Sequence, residues 1–97
     1  MHIISRSTLK EFWTKHPDAE EPLKTWFAYV RAVEWKNPSQ IREMFRHADF
    51  LQNNRVCFDI GGNKYRLIVK VVYKLKRVYI RFIGTHAEYD RIDANHI

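Results

Sequence analysis

The stretch IRFIGTHAEYDRID, residues 80–93, gathers the groups of this chain best suited to moving protons. Ile80 to Ile83 are apolar or basic, and after Gly84 come Thr85, His86, Glu88, Tyr89 and Asp90. Thr85 and Glu88 have the T-x-x-E spacing of a capping box, so a short C-terminal helix is expected to start there. His86 and Tyr89, three residues apart, then share one side of that helix. Imidazole, with an ordinary pKa of about 6.5, exchanges protons readily at neutral pH. A phenol, with an ordinary pKa of about 10, needs neighbouring cations before it can act as a base. Asp90 could orient a base, but solvation of the helix end is the favoured reading. The plain alternative for the whole cluster is a helix cap with a packing aromatic.

What the cluster could act on depends on the charge around it. Seventeen Lys and Arg against 11 Asp and Glu give a net charge of +6 and a pI near 9.7, which points to polyanions rather than small acidic molecules. Between Arg55 and Phe82 lie Arg55, Lys64, Arg66, Lys70, Lys74, Lys76, Arg77 and Arg81, with Asp59 the only acid. The acids gather elsewhere, in Asp18, Glu20 and Glu21 and again in Glu88, Asp90 and Asp93.

From Arg55 the hydrophobic period is two, and RVCFDI, KYRLIVKVVY and RVYIRFI read as antiparallel strands joined by hairpins at GGN and KLK. Alternation assigns Val56, Phe58, Ile60, Tyr65, Leu67, Val69, Val71, Val78, Ile80 and Phe82 to an apolar face. The opposite face takes Arg55, Cys57, Asp59, Lys64, Arg66, Ile68, Lys70, Arg77, Tyr79, Arg81 and Ile83. A charged sheet face is often no more than a solvated surface, but such a surface usually mixes both signs. Cations interleaved with Tyr79 suit RNA, the cations holding phosphates and the ring stacking on an unstacked base. Beside such a face, His86 and Tyr89 would supply metal-independent RNA cleavage. In that chemistry a base takes the 2′-hydroxyl proton, cations stabilise the scissile phosphate, and an acid protonates the leaving oxygen.

The elements that must position these groups are also legible. His2 to Ser5 is a candidate strand, and Thr8 with Glu11 forms a capping box for a helix to about Lys15, ended by Pro17. Asp18 and Glu21 repeat the capping spacing ahead of a longer helix bearing Leu23, Trp26, Phe27, Val30 and Val33. Asn37, Pro38 and Gln40 begin a third helix, ending near His47, and HADFLQNN reads as a polar loop. The expected class is α+β, one domain over residues 1–97, with helices on one face of a small antiparallel-rich sheet and a short C-terminal helix.

No secretory leader or membrane-length apolar run is present, so a cytoplasmic, soluble protein is expected. The single Cys57 reads as a small sheet residue in a reducing compartment. His2, His16, His47 and His96 lack paired spacing, so neither a metal nor any other cofactor is expected. GGNK lacks the spacing of a phosphate loop. Trp13, Trp26 and Trp35 read as packing residues, although Trp35 falls at a helix end where it could be exposed.

NKYRL followed by RFIGTHAEYD, together with the opening MHIISRSTLKEFWTKHPDAEEPLKTW, resembles the HigB toxin family, within the RelE-like group, over nearly the whole chain. The resemblance implies a RelE-like fold and a ribosome-dependent mRNA interferase of a type II toxin-antitoxin system, cutting mRNA in the ribosomal A site with contacts to 16S rRNA. It implies neutralisation by a HigA-type helix-turn-helix antitoxin, and contact with operator DNA only through that complex. It carries catalytic roles onto Lys64, Arg66, Arg81, His86 and Tyr89, and RNA or ribosome contacts onto Arg55, Lys70, Arg77 and Tyr79. Two other classes use the same basic face: a noncatalytic RNA- or ribosome-binding module, and a structural subunit docking an acidic partner.

Overall fold

The change from helical to alternating periodicity near Arg55 divides the chain in space as it does in sequence. In the computed structural model, which describes residues 1–97, a first strand β1 (His2–Ile4) leads into helices α1 (Arg6–Lys15), α2 (Glu20–Arg31) and α3 (Pro38–Met44). Strands β2 (Asp49–Phe50), β3 (Arg55–Ile60), β4 (Tyr65–Val72) and β5 (Arg77–Thr85) follow, and a single turn of helix, α4 (His86–Tyr89), leaves the end of β5. The sheet order is β1-β5-β4-β3-β2, with β1 parallel to β5 and every other pair antiparallel. This is the expected α+β architecture, with the first strand adding a parallel edge. No helix is long and apolar enough to cross a membrane.

The GGN hairpin forms because Gly61 and Gly62 both take left-handed backbone angles, φ 63° and 70°, which cost glycine little. The core lies between the sheet's apolar face and the helices. Phe58 at its centre meets Trp26 at 5.5 Å, Trp35 at 6.4 Å and Phe45 at 5.0 Å between ring centroids. Such pairs each add about 0.5–1.5 kcal/mol beyond the area they bury. Trp35 is therefore a core residue despite its place after the second helix.

Several local signals resolve differently in space. α1 starts at Arg6, with Ser5 in the left-handed region, so Thr8 lies inside the first turn and does not cap it. Asp18 does not cap α2 either; a 3₁₀ turn, Pro17–Ala19, feeds that helix, and the Asp18 carboxylate turns to the sheet. α3 is capped by Asn37 as expected but stops at Met44, and two residues of the HADFLQNN segment pair with β3 as the edge strand β2.

The larger departure is in β5. Ile68 pairs with Phe82 but Val69 pairs with Ile80, so Arg81 is the extra residue of a bulge. Beyond it the parity of the strand reverses. Ile83, expected on the basic face, packs against the core, while Phe82, expected in the core, joins Ile68 on the basic face. The basic face is not an open platform: Cys57 and Ile68 are fully buried at its centre and Arg55 is 8% exposed. The C-terminal segment lies across it, with Asn95 bonded to Gln52 and Asn53 and with Ile97 bonded to Arg55 and Arg81.

Candidate active site

The hairpin at GGN sets Asp59 directly opposite Arg66, and this cross-strand pair builds the site. Arg66 Nη1 donates to the Asp59 carboxylate, and with its side chain only 12% exposed the guanidinium has little freedom. Its other terminal nitrogen, Nη2, lies 2.7 Å from Nε2 of His86, the first residue of α4. The Tyr89 ring, one turn on, lies with its centroid 5.9 Å from the guanidinium carbon. A guanidinium has no acceptor, so His86 Nε2 presents its lone pair to Arg66 and the ring proton belongs on Nδ1, 3.8 Å from Asp90 Oδ2.

The short helix carrying these groups is held by the capping box read from the sequence. The Glu88 amide donates to Thr85 Oγ1 at 3.2 Å, and the Thr85 amide donates to Glu88 Oε1 at 2.8 Å. These bonds hold the Glu88 carboxyl below its ordinary pKa, the Thr85 backbone amide being the main cause. Gly84, just before the cap, leaves room for Phe82, whose ring tip would stand 2.5 Å from any added Cβ. Phe82 therefore lies along the basic face beside the strand position opposite Arg66.

Tyr89 differs from what its neighbours' charge suggested. Desolvation, with the Cys57 thiol beside it, raises the phenol's pKa above its ordinary value, and the nearby Arg66 does not reverse this. The hydroxyl keeps its proton at neutral pH, which fits a hydrogen-bond or proton donor and not a base. Cys57 is itself pushed up to about 11 by burial, so it is a neutral thiol packed under the site.

The other candidates separate into groups. Lys64 does not join Arg66 and His86: its ammonium pairs with Asp18, which also accepts from the Tyr65 hydroxyl at 2.5 Å. That pairing holds Asp18 low and Lys64 high and turns the lysine towards the helical layer, so its place in a catalytic set is not supported by the geometry. Arg55, Lys70 and Tyr79 form one row across β3, β4 and β5, and Arg77 Nη1 reaches Tyr79 Oη at 3.3 Å. Arg81 leaves its bulge toward the same face, its Nε donating to Ile97 O at 3.2 Å. His, Cys, Asp and Glu side chains form no group of three able to hold a metal ion. Asp59 and Phe82 were missed as site residues. Folding the hairpin about GGN would have found Asp59, whereas nothing in the alternation announces the bulge that turns Phe82 outward.

A basic sheet face with an arginine and a histidine joined at its rim is thus carried by a small α+β domain. A family model described as HigB_toxin, RelE-like toxic component of a toxin-antitoxin system, matches residues 19–92. This chain belongs to the HigB toxin family. Among its relatives, the mRNA interferase HigB of Escherichia coli O6:H1 (strain CFT073) is 30% identical over 94 residues, 95% of this chain and 91% of that protein. The mRNA interferase toxin HigB of Escherichia coli K12 is 30% identical over 98 residues, 99% of this chain and 94% of that protein. The mRNA interferase HigB of Shigella flexneri matches to the same extent, 30% over 98 residues. The toxin's match to the family model ends at Ile92, so it includes all of α4 and leaves out Asn95 and Ile97 of the C-terminal segment.

Proposed function

We propose that this toxin is a metal-independent endoribonuclease that cleaves translated mRNA in the ribosomal A site. The observation that carries the reading is the 2.7 Å contact between Arg66 Nη2 and His86 Nε2, which joins a phosphate-binding cation to a proton acceptor on one rim. When a phosphate draws the guanidinium to itself, His86 Nε2 is released to take the 2′-hydroxyl proton. The 2′-oxygen attacks phosphorus, Arg66 stabilises the charge on the phosphoryl oxygens, and the bond to the 5′-oxygen breaks. Tyr89, which keeps its proton, donates to the phosphate or to the leaving oxygen. Asp59 holds Arg66 in place from the far side. The products are a 2′,3′-cyclic phosphate and a 5′-hydroxyl end.

Arg55, Lys70, Arg77, Tyr79 and Arg81 then hold mRNA or ribosomal RNA. A HigA-type helix-turn-helix antitoxin neutralises the toxin, and operator DNA is met only through the complex. An acidic contact surface on that antitoxin would complement the toxin's +6 charge and speed association.

The test is expression of the toxin alone, with the 5′ ends of cellular transcripts mapped. Cuts confined to translated regions and in phase with codons support the reading, and arrest of growth without them opposes it. On programmed ribosomes, His86→Ala should slow cleavage by about 10²–10⁴, the usual worth of a general acid or base. Ribosome binding should remain. Tyr89→Phe removes only the hydroxyl and separates proton donation from stacking.

A further inference from the structure

In a molecule carrying +6, a cavity of about 390 Å³ between α2 and the GGN hairpin has Glu21 and Asp59 as its only charged lining residues. Neither carboxylate is fully used. Glu21 joins no ion pair, and Arg66 takes Oδ1 of Asp59 while Oδ2 has no hydrogen-bond partner. Most of the remaining wall is apolar, from Trp26, Tyr29, Phe45 and Ile60. Trp26 is 2% exposed, and its indole Nε1–H is the molecule's one buried side-chain donor without an acceptor. Past Phe45 and Asp59 the groove continues into a second cavity of about 350 Å³, beside Met44 and with Arg46 at its edge. Tyr29, 57% exposed, and Met44, 39% exposed, are two of the molecule's three exposed large apolar side chains. Exposed apolar groups gathered along one groove mark a surface that another protein covers.

We propose that this cavity is a docking pocket for an arginine side chain of a partner protein, with the apolar residues flanking that arginine lying along the groove. A guanidinium has donors for both Glu21 and Asp59 Oδ2 in one plane, and its face can stack on the Tyr29 ring. A lysine ammonium offers a single point and no stacking plane. The partner's main chain also brings carbonyl oxygens, the kind of acceptor that Trp26 lacks. The pocket is opposite in sign to the basic sheet face, so it receives a different part of a partner's surface. Asp59 ties it to the candidate active site, because the carboxylate that receives the arginine also holds Arg66. A docked arginine competes with Arg66 for the Asp59 charge and so bears on the Arg66–His86 pair from behind. Docking of this kind does not depend on RNA cleavage.

The probe is the peptide acetyl-Leu-Arg-Leu-amide, titrated into the toxin while its indole N–H and arginine Nε–H signals are followed by NMR. The Trp26 signal should move and saturate, and the Arg66 signal should follow it with the same half-saturating concentration. Trp13, which lines neither cavity, should stay still. The same peptide with citrulline in place of arginine keeps the shape and loses the charge, and should bind more weakly by about fivefold or more. Glu21→Gln and Tyr29→Ala, both at exposed positions, should each raise the half-saturating concentration about two- to fivefold, the worth of one exposed ion pair or cation–π contact. A Trp26 signal that stays still, a citrulline peptide that binds equally well, or equal half-saturation in wild type and both variants overturns the proposal. A Trp26 signal that moves on dilution of the toxin alone gives the groove to a second copy of this chain and also overturns it. A still Arg66 beside a moving Trp26 overturns the link to the active site.

Discussion

Replacing Arg66 with lysine isolates what the guanidinium contributes beyond its charge. The wild-type side chain makes an ion pair with Asp59, a 2.7 Å contact with His86 Nε2 and a cation–π approach of 5.9 Å to Tyr89. An ammonium can keep the first, but it is a single point and cannot span Asp59 and His86 as a planar fork does. Arg66→Lys should therefore lose the His86 contact and part of the cation–π term, about 1 kcal/mol in all after discounting for partial exposure. In a domain of this size that is a fall of about 4–8 °C in Tm. The effect on chemistry should be larger. Loss of a preorganised donor to the transition state typically costs about 10²–10³ in rate, or about 2.7–4 kcal/mol. Arg66→Ala adds an unpaired, partly buried Asp59 and should cost about 1–3 kcal/mol more in stability. Thermal unfolding and single-turnover cleavage on programmed ribosomes, measured on both variants, separate the two effects. If Arg66→Lys cleaves within about threefold of wild type, where a loss of about 10²–10³ is expected, the fork between Asp59 and His86 is not what positions the chemistry.

Thr85→Ala should cost about 1 kcal/mol through the lost cap, seen as faster exchange of the Glu88 amide and a matching decline in His86-dependent cleavage. Because the same box depresses the Glu88 pKa, its support of α4 is complete above the ordinary glutamate value and is lost as pH falls through the lower folded value; helix protection should follow that course, and Glu88→Gln should abolish the dependence. Cys57 should resist alkylation in the native toxin at neutral pH. Its pKa, raised from 9.0 to about 11, makes its stabilising effect complete below pH 9 and lost as pH rises towards 11, a loss that Cys57→Ala should remove. Trp26 is buried and its indole Nε1 has no partner, so Trp26→Phe should cost about 1–2 kcal/mol, well under the roughly 3–5 kcal/mol of Trp→Ala, because it removes an unmet donor along with some packing. Equal losses for Phe and Ala in urea unfolding would refute that.

The features legible in the sequence are those set by neighbours along the chain. Period two after Arg55, the glycine pair at the hairpin, the Asn37 cap and the Thr85–Glu88 box all depend on backbone geometry over a few residues, and each stands in the structure as read. The basic character of the second sheet face, Arg66 included, followed from alternation, and the presence of His86 at its rim followed from the Thr85–Glu88 box. Tertiary structure decided how those groups are used. One inserted residue at Arg81 reverses the faces of Phe82 and Ile83, because side-chain parity has no tolerance for an odd insertion. Lys64 is turned away by Asp18, 46 residues earlier, and Arg55 is buried by Ile97, 42 residues later. Tyr89, which charge alone would have made more acidic, is made less so by the desolvation that comes with packing beside Cys57. These outcomes depend on which distant segments meet, and that choice is made by the fit of the whole core and not by any local pattern.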